Sequence, residues 1–130
     1  MTFYKYYDSP KSALTDYLHI IISEYIEQGN TLKINHSFRT YDHILYSINF
    51  FDQYADFFLI MVRNGLHSIL LNGINQFMAD HIDTDEEITV YEVYGYAGAL
   101  LNTFLNWEAN EKKDSAQEVA RHLYALYGKV

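Results

Sequence analysis

The chain has 130 residues, 49% of them hydrophobic, with 17 acidic side chains against 9 basic ones and no cysteine. A chain of this length suggests one domain, its apolar content argues against disorder, and the missing cysteines exclude disulfide and thiolate chemistry. The formal charge of −8 repels a phosphate backbone, so the chain as it stands is expected to bind DNA negligibly.

No basic stretch followed by an apolar one opens the chain, and the longest apolar runs, such as "FFLIMV", are far too short to span a bilayer. A cytoplasmic protein with no membrane partner is the expectation. The 13 Tyr and 8 Phe are the oddest feature of the composition. Leu and Val suffice for a core, whereas many Tyr suggest a wet cavity, a flat interface, or both.

Apolar spacing is helical almost throughout and predicts an all-α fold of about six helices. Ser9-Pro10 fits an N-cap followed by proline at the first helical position. Leu14, Leu18, Ile21 and Tyr25 then share a face, and Gly29-Asn30 ends the helix. The stretch "NTLKINHSFR" has no clear period and reads as a linker. Thr40 can cap a second helix with Tyr41, Ile44, Leu45 and Ile48 along one side. "YADFFLIMVRNG" reads as a short, almost fully buried helix ending at Gly65. A fourth follows, with Leu66, Ile69, Leu70, Ile74 (or Gly73) and Phe77 on its stripe. Thr84 with Glu87, and Ser115 with Glu118, have capping-box spacing. The first pair predicts a helix over about Ile88 to Ala109, the second one over about Ala116 to Tyr127.

The opening "TFYKYYDSPKSAL" resembles the end of the helix-turn-helix in TetR-family transcriptional regulators. In that family the recognition helix finishes on a "TFYxxF" run, and a short turn with Ser leads into a long fourth helix. Thr2, Phe3, Tyr4 and Tyr7 match the run. The stretches "YDHILYSINFFDQYADFFLIMVRNGLHSILLNGINQFM" and "YGYAGALLNTFLNWEANEKKDSAQEVARHLYALY" are similar to the family's regulatory domain, of the type common in Firmicutes. The likeness covers nearly the whole chain. It rests on the order and extent of degenerate patterns.

The resemblance implies residues 1–8 as a remnant of the recognition helix and turn, and residues 9–130 as a ligand-binding and dimerisation domain. Thr2, Tyr4 and Lys5 match positions that contact DNA in the family. The family's first two helices and most of the third are not in this sequence, so DNA is a partner only through that missing N-terminal region. Pro10 also stands where family members often carry a phosphate-touching Lys, and Lys11 follows it.

Two candidate sites follow from the residues. Tyr46, Phe50, Phe57, Tyr91, Tyr94 and Trp107 lie on predicted helices able to surround one space, with Asn49 and Asn102 as polar groups. Aromatic walls with a few polar anchors are the usual form of a small-molecule site, although aromatics at helical spacing also build ordinary cores. The second site is a dimer interface. Gly95, Gly98, Ala99 and Asn102 form a small-residue face, and Val119, Ala120, Leu123, Leu126 and Tyr127 belong to an apolar stripe on the last helix. A four-helix bundle with a second copy would bury both, and the resemblance implies the same arrangement.

No histidine pair has the i, i+3 or i+4 spacing of a metal site, and no phosphate loop, nucleophile elbow or HExxH occurs. No catalytic residue, metal or cofactor is therefore expected, and the protein is not expected to be an enzyme. Together with the resemblance, the expected function is ligand sensing and dimerisation in a TetR-type regulator. In such proteins a mainly apolar small molecule moves the fourth helix, here about Ser9–Gln28. The alternative is a truncated interaction module that dimerises with a full-length relative and blocks its DNA binding.

Overall fold

In the computed structural model, residues 10–35, 37–81 and 89–128 are described. They form six α-helices and no strand: α1 Pro10–Thr31, α2 Tyr41–Asp52, α3 Ala55–Arg63, α4 His67–His81, α5 Val90–Ala109 and α6 Ala116–Tyr127. The all-α reading holds, with six helices. The candidate DNA residues Thr2, Tyr4 and Lys5 lie outside the described residues, as do Thr84 and Glu87. No described helix is long and apolar enough to cross a membrane.

Side-chain caps open three of the helices. The Thr40 hydroxyl accepts from the His43 amide and opens α2, and the Ser115 hydroxyl accepts from the Glu118 amide and opens α6. At α5 the structure corrects the expected cap. The N-cap is Thr89, whose hydroxyl accepts from the Glu92 amide at 3.2 Å, so the helix begins at Val90. Thr84–Glu87 and Thr89–Glu92 both have the S/T-x-x-E spacing, and the second one lies directly against the helix.

Helices α1 and α3 end on one device. At α3 the Leu66 amide donates to the Met61 carbonyl at 2.9 Å and the Gly65 amide to the Val62 carbonyl at 3.0 Å. That is the Schellman pattern, and Gly65 supplies the positive φ of 73° it needs. The same bonds end α1, from Ile34 to Gly29 and from Lys33 to Asn30. There Lys33 takes the left-handed turn with φ 58°. The turn folds Ile34 and Asn35 back toward α1 and α2.

Two apolar clusters hold the helices together. One joins α1, α3, α4 and α5 through Leu14, Leu18, Ile21, Met61, Leu70 and Phe104. Gly73 on α4 lets this layer close: a Cβ there would stand 2.9 Å from Leu18 Cδ2 on α1. The other joins α2, α5 and α6 through Ile44, Ile48, Tyr96, Val119, Ala120 and Leu123. Helix α3 is less buried than its composition suggests. Only Phe58 and Met61 are inside, and Ile60 is 45% exposed, because this nine-residue helix packs on α4 and α5 from one side.

Candidate functional site: an aromatic cavity between α1, α2, α4 and α5

Between the two clusters lies a cavity of about 210 Å³. Helix α1 contributes Leu18, Ile22, Tyr25, Ile26 and Gly29 to its wall. Helix α2 adds His43, Tyr46, Ser47, Ile48 and Phe51, and α3 adds Phe58. The far side comes from Ile74, Phe77 and Met78 on α4 and from Tyr96, Leu100, Leu101 and Phe104 on α5. Ile34 and Asn35 reach it because the left-handed turn after α1 directs the chain back over this end. Among the described residues, no Lys, Arg, Asp or Glu lines the cavity.

Rings fit the wall together. Tyr25 stacks on Tyr46 at 5.1 Å and on Phe51 at 4.9 Å, and meets Phe77 edge-on at 5.6 Å. Gly29 is what lets Tyr46 lie so close to α1, since a Cβ at that position would sit 3.3 Å from the Tyr46 ring. The Tyr46 hydroxyl donates to the Tyr25 carbonyl at 2.7 Å. That bond ties α2 to α1 across the cavity edge.

The polar groups form a chain at the α1–α2 end. The Tyr25 hydroxyl lies 2.6 Å from Ser47 Oγ and 3.0 Å from His43 Nε2. Ser47 Oγ donates to the His43 carbonyl at 2.9 Å, and His43 Nδ1 donates to the Asn35 carbonyl at 2.7 Å. Desolvation pushes the Tyr25 phenol far above its ordinary value, so it stays protonated. Tyr96 differs. Its ring stacks on Phe38 at 4.5 Å and meets Tyr127 edge-on at 5.7 Å, yet its hydroxyl is buried with no hydrogen-bond partner among the described residues. Burial, and secondarily the nearby Tyr25, raises its phenol well above 10.0.

No known protein family, curated protein or solved structure matches the chain. The site is therefore read from its own geometry.

Of the eight ligand-site residues expected from the sequence, Tyr46 lines this cavity. The others sit elsewhere. Phe50 is buried in the core beneath it, edge-on to Tyr25. Phe57 packs against Tyr17 on the α1–α3 side. Trp107 closes the α5–α6 turn, its Nε1 donating to the Asp114 carbonyl at 2.8 Å. Asn49 is exposed, and Asn102 is exposed with its side-chain oxygen accepting from Asn106. Tyr91 and Tyr94 are 80% and 50% exposed. The lining residues Tyr25, Ser47, His43 and Tyr96 escaped the sequence reading. Their signal was present: each is a polar residue within an apolar stripe, Tyr25 beside Leu18 and Ile21, Ser47 beside Ile44 and Ile48, Tyr96 beside Val93 and Leu100.

The expected interface residues divide in the same way. Val119, Ala120 and Leu123 are buried within one chain, in the cluster that joins α6 to α2 and α5, so they have no surface left for a second copy. Tyr127 is half-buried, its hydroxyl donating to the Gly95 carbonyl at 3.4 Å. Ala99 is half-buried against the same cluster. Gly95, Asn102 and Leu126 are exposed, and a Cβ at Gly98 would meet nothing within 4 Å. The open surface is thus Tyr91, Tyr94, Gly95, Gly98 and Asn102 on α5, with Leu126 beside it on α6.

Proposed function

We propose that this chain is the ligand-sensing and dimerisation domain of a TetR-type transcriptional regulator. The observation that carries the reading is the part α1 plays in the cavity. Six residues over about three turns of that helix, from Leu18 to Asn30, stand in the wall. A molecule filling the cavity presses on the same rigid rod that, by the family likeness, leads to the DNA-reading head. It can bias the rod only by binding one position of α1 better than another. The open face of α5 supports the second half of the reading. A helix with exposed Tyr91 and Tyr94 flanking an uncovered Gly98 offers a second copy a close approach.

Sedimentation velocity together with thermal shift tests the reading. The chain should sediment as a dimer at micromolar concentration. Small uncharged aromatic compounds should raise its melting temperature, with about 2.7 kcal/mol of added stability at about 100 times the dissociation constant. A monomer at high concentration that only charged metabolites stabilise contradicts it.

A further inference from the structure

We propose that the cavity takes a single-chain amphiphile, its hydrocarbon tail laid toward Leu18, Phe58, Leu101 and Phe104 and its one polar head left at the end marked by Asn30, Asn35 and His81. The inference rests on the effector-cavity reading above and narrows it to a chemical class.

Shape comes first. A cavity of about 150 Å³ holds a benzene ring, and this one, at about 210 Å³, is only modestly larger. Yet α1 lines it from Leu18 to Asn30, which at about 1.5 Å per residue is about 18 Å of helix. So small a volume along so long a wall makes a narrow channel. A row of rings backs it. Tyr25 stacks on Phe51 at 4.9 Å, Phe51 meets Phe58 edge-on at 5.7 Å, and Phe58 meets Phe104 edge-on at 5.6 Å. One ring fills part of such a channel, whereas a chain fills its length.

Polarity comes next, and the lining divides by position. Asn30 and His81, at the C-terminal ends of α1 and α4, and Asn35, after the turn that ends α1, are exposed. Ser37 and His43, each hydrogen-bonded to Asn35, are half-buried. Leu18, Phe58, Leu101 and Phe104 are instead buried and belong to one apolar cluster. A tail gains by leaving water there, while a second polar group would be desolvated with no side chain to pair it. The head stays at the exposed end, among amides, imidazoles and water. Among the described residues no Lys, Arg, Asp or Glu lines the wall, so nothing there demands a charged head.

Isothermal titration of the full chain tests this with 1-butanol, 1-hexanol and 1-octanol, with 1,8-octanediol, and with acetophenone as a ring probe. Affinity should climb roughly three- to fourfold per added methylene along the alkanols, the worth of burying each one. The diol should bind at least about tenfold more weakly than 1-octanol, because its second hydroxyl loses water at the apolar end. Leu101→Phe adds bulk at that end and should weaken 1-octanol more than 1-butanol. Should that variant fail to fold, the diol comparison on the wild-type chain decides. If acetophenone binds but the alkanol series is flat, or the diol matches 1-octanol, the channel is wrong and the effector cavity stands. A folded Leu101→Phe that treats both alkanols alike also overturns the channel. If no probe binds, the channel and the effector cavity fall together.

Discussion

Helix α5 has two faces built from similar residues and put to opposite uses. The inner face carries Val93, Tyr96, Ala97, Leu100, Leu101 and Phe104, every one of them buried. The outer face carries Tyr91, Tyr94, Gly95, Gly98 and Asn102, and Tyr91 is 80% exposed. Each face has tyrosine, and each has a small residue near its centre. Inside, Ala97 is wholly buried. Outside, Gly98 has open space beside it. The contrast teaches that residue type does not decide which tyrosine is buried and which faces outward. The 100° step of the helix decides it, by placing Tyr96 in phase with Val93 and Leu100 and leaving Tyr91 and Tyr94 out of phase.

The sharpest way to break this contrast is to truncate one aromatic from each face. Phe104→Ala should destabilise the chain by about 3–5 kcal/mol, because Phe104 joins Phe58 and Trp107 in the core and its loss leaves a cavity. Tyr91→Ala should change single-chain stability by no more than about 0.5 kcal/mol. Urea unfolding at low protein concentration compares the two, and equal losses would mean that the outer face is packed within the chain.

Gly98→Leu sharpens the same contrast in the dimer. In a single chain the substitution meets no neighbour and removes glycine's helix penalty, a gain of about 1 kcal/mol. Between two copies the added bulk should cost about 1–3 kcal/mol at each site, and a symmetric dimer incurs it twice. Sedimentation velocity should therefore show a weaker dimer, while unfolding of the dilute chain shows a more stable monomer. A dimer as tight as wild type would move the interface off Gly98.

A smaller effect belongs to the C-terminal end of α5. Burial first, then a hydrogen bond to Asp52 and its negative charge, pushes the Glu108 carboxyl from 4.5 up to about 8. Asp56 adds to the shift, and Lys112, which also bonds Asp52, opposes it. The folded state thus holds this proton more tightly than the unfolded one. Stability from this group is full below about pH 4.5 and falls as pH rises toward about 8. Glu108→Gln should flatten that slope in urea unfolding between pH 5 and 8. An unchanged slope would assign it to other groups.

Much of the fold was legible because it rests on local chemistry. The Thr40 and Ser115 caps, the start of α1 at Pro10 and the buried stripe of Leu14, Leu18, Ile21 and Tyr25 need only short-range pattern. The α5 cap was misplaced because two successive threonine–glutamate pairs satisfy the same spacing. The cavity was harder. Its wall draws on five helices, and which aromatics converge depends on crossing geometry that no single stripe encodes. Tyr46 was found because it sits centrally on α2. Tyr25 reads as a plain core position on the α1 stripe, since a buried tyrosine and a cavity-lining one have the same phase. Only the packing of the neighbouring helices separates the two, and it needs coordinates. Burial of Val119, Ala120 and Leu123 against α2 was likewise hidden, because an amphipathic helix does not declare whether its apolar face meets its own chain or another.

Amide hydrogen exchange with and without saturating acetophenone tests the central claim most directly, that a molecule in the cavity acts on α1. The account predicts slowed exchange along Leu18–Gly29 of α1 and Tyr96–Phe104 of α5, the two walls that enclose the probe, with the outer turns of α6 unchanged. Slowed exchange on α5 alone, with α1 unaltered at full occupancy, would contradict it: the cavity would then bind its ligand without reaching the helix through which a signal must pass.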